Sequence, residues 1–139
     1  MALPGQGEFS LVLRTDFSDD PAWDAVCAEI EETEEFSTAV FVSDPRFAGV
    51  SVRALVEEDA AADDDAKVFY VFLADETTMA DAEHRLLAVD LADEPGRTFR
   101  VPPAWFSDIS VNLGIANMDF AEFADCVDGS GTYRGCGDG

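Results

Sequence analysis

A chain of 139 residues and 15.0 kDa, 47% of it apolar, has enough hydrophobic side chains for one packed core without help from metal or disulfides. Asp and Glu number 30 against 8 Lys and Arg, a formal charge of -22 with an isoelectric point near 4.1. Such a field repels phosphate backbones and anionic lipid headgroups, because the counterion release that drives nucleic-acid binding needs Lys and Arg on the protein; a conventional nucleic-acid or membrane-surface role is excluded.

Residues 1–7 have no basic region and no apolar run of signal-peptide length, and read as a flexible terminus. No later stretch approaches the ~20 apolar residues that span a bilayer, so the expected location is cytoplasmic. Glu8 to Arg14 is a strand-like run, and Thr15 to Pro21 has the composition of a helix start: Asp or Ser caps free N–H groups and Pro21 fits the first turn. The helix that follows puts Trp23, Val26, Cys27 and Ile30 on one face and ends in Glu29, Glu31, Glu32, Glu34 and Glu35. Thr38 to Val42 is a second strand, closed by Ser43-Asp44-Pro45. Gly49 to Glu58 is a second helix pattern with Ser51 as its cap. Residues 57–66, acidic and rich in alanine, read as a mobile solvated loop.

Lys67 to Leu73 is the strongest strand, apolar on both faces as a central strand covered on both sides would be. Leu86 to Leu91 is a fourth strand of undetermined direction, since Asp75 to Arg85 is barely long enough for a parallel crossover. Arg97 to Val101 is a fifth, pairing with the fourth as a hairpin, and Pro102-Pro103 stops it. Ala104 to Ala116 reads as a short helix and then irregular chain. Asn117 caps a last helix with Phe120, Phe123, Ala124 and Val127 on its apolar stripe, and Gly129 stops it. The order predicts one α/β domain over residues 8–135. Its mixed sheet of about five strands is flanked by three to four helices, parallel in its first half and antiparallel at one edge; residues 136–139 form a flexible terminus.

Several strand candidates run into an aspartate. In a parallel sheet the carboxyl ends of strands share one edge, so Asp16, Asp44 and Asp75 are placed to converge, and such carboxylates with water suit Mg²⁺ and phosphoryl chemistry. Helix capping is the stronger reading, because Asp20 and Asp44 both precede proline as caps do. Phosphoryl transfer would also want a cation nearby, and the single lysine, Lys67, starts a strand at the other edge.

Arg14 and Arg100 lie in or at the end of apolar strands, where a guanidinium is costly unless a carboxylate pairs with it. The expected partners are Asp16, Asp90 or Asp119, and ion pairing is favoured over an anion site. His84 reads as an exposed residue, not a catalyst. Cys27, Cys126 and Cys136 have no zinc-like spacing and are expected as reduced thiols, Cys27 as a core residue. The glycines at 129 and 131 follow a helix instead of opening one, the wrong context for a phosphate loop. No cofactor, resident metal or catalytic set is therefore expected.

Leu13 to Trp23 (LRTDFSDDPAW) and Asn112 to Gly135 (NLGIANMDFAEFADCVDGSGTYRG), with Leu73 to Glu76 and Leu87 to Leu91, carry a resemblance. They resemble the signatures of a family of small acidic actinobacterial proteins that bears only a domain-of-unknown-function label. The resemblance implies a free-standing intracellular bacterial domain and transfers no catalytic residue. Cys126 and Cys136 depart from it, standing where an aliphatic or aromatic residue is expected. Arg14, Asp16, Asp75, Arg100 and Asp119 are the candidate functional residues.

Two function classes follow. One is a stoichiometric protein-binding module of the immunity, antitoxin or adaptor kind, taking a basic partner through Glu31, Glu32, Glu34, Glu35, Asp63, Asp64 and Asp65. The alternative is a divalent-metal-dependent enzyme acting on a phosphorylated small molecule through Asp16, Asp44 and Asp75.

Overall fold

A five-stranded sheet in the order β2-β1-β3-β4-β5 organises the chain: β1 (Ser10–Arg14), β2 (Ala39–Val42), β3 (Tyr70–Ala74), β4 (Leu86–Asp90) and β5 (Thr98–Val101). The computed structural model describes residues 10–33, 39–62, 68–92, 94–114 and 120–134. The expected termini, Glu34, Glu35, Asp63 to Asp65, Lys67, Asn117, Asp119 and Cys136 lie outside these residues. Among the described residues five helices accompany the strands: α1 (Asp20–Thr33), α2 (Val52–Ala61), α3 (Glu76–Ala80), α4 (Pro103–Gly114) and α5 (Phe120–Ala124).

β1 pairs in parallel with both β2 and β3, whereas β4 runs antiparallel to β3 and to β5. Alternation along the strands feeds two cores. Val12, Tyr70, Phe72 and Ala88 turn to a layer built by Trp23, Val26 and Ile30 of α1, Phe106 and Ile109 of α4, and Phe120 and Phe123 of α5. Leu11, Leu13, Val71 and Leu73 turn to the opposite layer, with Phe47 and Leu55. Burial on both faces explains why β3 reads as a continuous apolar run; each such side chain contributes about 1.5–3 kcal/mol when taken from water.

The sheet class and the succession of strands along the chain follow the pattern of the sequence, with local differences. Asp75 to Arg85 contains the extra helix α3, and the segment returns the chain antiparallel. Pro103 begins α4 instead of only ending β5, as proline suits a first helical turn, and α4 runs to Gly114, where an early break was expected. Glu57 to Ala61, assigned from composition to a solvated loop, belongs to α2; there Asp59 is buried and accepts the Val68 N–H at 2.7 Å. Asp19, not Asp20, caps α1: its carboxylate accepts the Ala22 N–H at 3.0 Å. Ser51 caps α2 through the Ala54 N–H, as its position indicates.

α5 ends at Ala124, and a turn over Asp128 to Gly131 folds the chain back, with an antiparallel bridge between Val127 and Tyr133. Tyr133 is buried among Phe99, Phe123 and Trp105. Cys126 is disulfide-bonded, which corrects the expectation that it is reduced: sequence spacing alone does not reveal that the chain doubles back beside it. Cys27 is free.

Candidate functional site at the carboxyl edge of the parallel strands

Since β2 and β3 flank β1, the chain leaves β1 toward one side of the sheet and returns on the other, the topology that opens a crevice beyond the strand ends. A cleft of about 510 Å³ lies there. Thr15, Asp16, Phe17 and Ser18 line it after β1, Ala48, Gly49 and Val50 before α2, and Asp75 and Glu76 after β3. Backbone bonds fix the walls: the Gly49 N–H donates to the Thr15 carbonyl at 2.8 Å and the Thr15 N–H to the Ala74 carbonyl at 3.0 Å.

Asp16 and Asp75 thus share one cleft, as the strand ends imply, while Asp44 is not among its lining residues. Each of the three carboxylates has structural work. Asp16 accepts the Ser18 N–H and hydroxyl, closing a local turn. Asp44 caps the short 3-10 turn Pro45–Phe47 through the Arg46 N–H and pairs with the Arg46 guanidinium. Asp75 caps α3 in a reciprocal box with Thr78 and is gripped by Arg100, Nη1 to Oδ1 at 2.9 Å and Nη2 to Oδ2 at 3.0 Å. Burial acts to raise the Asp75 carboxyl, but hydrogen bonds from Arg100 and the Thr78 N–H, with the Arg100 charge, hold it below its ordinary value. Among the described residues, no three His, Cys, Asp or Glu side chains gather as a metal site.

Arg100 therefore pairs with Asp75 and not with Asp16 or Asp90, while Asp119 lies outside the described residues. The register explains it: Leu73, Leu87 and Arg100 lie abreast across β3, β4 and β5, which leaves Asp75 just beyond the strand end within reach of the guanidinium. Asp90 is used elsewhere, accepting the Ala92 and Glu94 N–H groups in the β4–β5 turn. Arg14 is also paired differently from the expectation. Its Nη2 donates to Asp20 at 2.6 Å, its Nε to the Asp16 carbonyl at 2.9 Å, and its guanidinium lies 4.6 Å from the centroid of the Phe17 ring. Arg14 and Arg100 are ion-paired, the alternative the sequence favours over an anion site.

His84 differs from the exposed residue expected. Its side chain is largely buried, its backbone has a φ of +50°, and its Nδ1 stands 2.6 Å from a Glu29 carboxylate oxygen. Sequence reasoning missed this pair, as 55 residues separate its members.

Residues 9–136 match the family model described as Domain of unknown function (DUF6924). The chain belongs to this family. The match spans nearly all of the sequence, so the sheet, the cleft and the Arg100–Asp75 pair all lie within this DUF6924 domain. Comparison with curated proteins finds no match. No helix of the described DUF6924 domain is long and apolar enough to cross a membrane.

Proposed function

We propose that this DUF6924 domain is a stoichiometric binding module for a basic protein partner. The observation that carries the reading is topological. Crossover helices run opposite to the parallel strands, so α1 and α2 both end where β1 and β3 begin, and β4, antiparallel to β3, delivers its turn toward β5 to the same end. Glu31, Glu32 and Glu94 are exposed there, with Glu57 and Glu58 in the last turns of α2. The described parts of two acidic runs that stand apart in the sequence, Glu31 and Glu32 of α1 and Glu57 and Glu58 of α2, thereby lie toward one end of the sheet.

Arg53 and Arg97 offset part of this acidity by pairing with Glu57 and Glu94, whereas among the described residues Glu31, Glu32 and Glu58 face no arginine. All seven arginines (14, 46, 53, 85, 97, 100 and 134) already face a carboxylate of their own chain. A large excess of one sign of charge steers an oppositely charged macromolecule and accelerates its capture. The test is retention on the immobilised domain at low salt, followed by calorimetry with the purified partner. A discrete basic protein that binds one to one and weakens steeply with salt supports the reading; no retained basic protein at low salt overturns it.

A further inference from the structure

Phe69 holds a backbone φ of +72°, a region that a bulky residue rarely occupies, and its side chain is 51% exposed. It lies between Val68 and Tyr70, both buried. The Tyr70 N–H donates to the Val68 carbonyl at 2.9 Å, closing a three-residue turn about Phe69, a form strained for any residue with a Cβ. Two further bonds hold the conformation: the Val68 N–H to the Asp59 carboxylate at 2.7 Å and the Leu91 N–H to the Phe69 carbonyl at 2.9 Å. Folding alone favours glycine or asparagine at such a φ and a polar side chain at such exposure. The fold instead spends its hydrogen bonds on presenting an aromatic ring to solvent, and retained strain of this kind marks functional positions.

Its place gives the ring a use. Phe69 directly precedes β3, the central strand, at the end of the sheet where α1 and α2 finish and the β4–β5 turn lies. An exposed aromatic side chain at an end of the sheet that also carries carboxylates has the anatomy of an interface anchor within a polar rim. We infer that Phe69 is the apolar anchor of the docking end, seated in a recess of the basic partner while Glu31, Glu32 and Glu58, which face no arginine among the described residues, meet its cations. This rests on the binding reading above and adds to it an apolar requirement.

Two synthetic peptides of equal lysine count serve as probes, one amphipathic with leucines, the other with serines in their place. The domain is expected to bind the leucine peptide roughly tenfold more tightly than the serine peptide, the scale of one anchor residue. Phe69→Gly removes that preference, leaves serine-peptide binding unchanged, and melts at or above the wild-type temperature because glycine relieves the strained φ. The double change Glu31→Gln and Glu32→Gln weakens both peptides alike. A preference that survives Phe69→Gly, or a lowered melting temperature in that variant, overturns the anchor. Equal binding of the two peptides by the wild type overturns the anchor and leaves the electrostatic reading standing, while binding of neither overturns both.

Discussion

The Arg100 guanidinium meets the Asp75 carboxylate in a bidentate pair that joins β5 to the start of α3 across the end of β4. Arg100 also holds the returning tail by its backbone, its N–H donating to the Gly131 carbonyl and its carbonyl accepting the Tyr133 N–H. One residue thus links the antiparallel edge, the wall of the cleft and the segment that buries Tyr133.

Asp75→Asn removes the charge of this pair and half of its acceptor geometry while keeping a side chain able to cap α3. A loss of about 1–3 kcal/mol is expected from urea denaturation, the range for charge-assisted bonds shielded from water. Arg100→Met should cost a similar amount, and the double variant less than the sum, because both changes break the same contact.

Acid should expose the same pair. Asp75 and Asp81, the latter bonded to Arg85, are each pushed upward by burial but held by their arginine partners below the ordinary 3.8. A folded value below the unfolded one gives stability that is complete above the unfolded value and lost as pH falls through the folded value. Urea midpoints taken stepwise downward from pH 5 should therefore fall below about pH 4, with a shallower decline in Asp75→Asn over that window.

The cysteines should differ in chemistry. Burial, reinforced by Glu31 and Asp24, pushes the Cys27 thiol up to about 12, so thiolate is scarce at neutral pH. Iodoacetamide labelling of the native, unreduced protein followed by peptide mass spectrometry should leave Cys27 and Cys126 unmodified; denaturant with a thiol reductant should open both. Reduction should also lower stability by about 2–4 kcal/mol, the usual contribution of a native disulfide.

Gly49→Ala tests the wall of the cleft. The residue has a φ of +70°, and a methyl group there would meet no heavy atom within 4 Å, so the expected loss of about 1 kcal/mol is one of backbone conformation. Gly129→Ala, equally uncrowded and without a positive φ, should leave the melting temperature nearly unchanged.

The sequence by itself determined the five strands, the helices α1 and α2 and the burial of β3 on both faces. Apolar spacing in α1 and the unbroken apolar run of β3 are local signals, fixed by which side chains must leave water, and the Ser51 cap is legible for the same reason. Residues 59–61 read as loop from the sequence because acidity and alanine describe a solvated loop and an exposed helix equally well, and only the packing of Leu55 and the Asp59–Val68 bond distinguish them. Tertiary structure alone decided the pairings. Asp75 with Arg100, Arg14 with Asp20, His84 with Glu29 and the disulfide at Cys126 all depend on strand register or on where the chain turns back. Charge and composition state how many carboxylates there are; which end of the sheet carries them is decided only when two crossover helices, on opposite faces, run back antiparallel to the parallel strands.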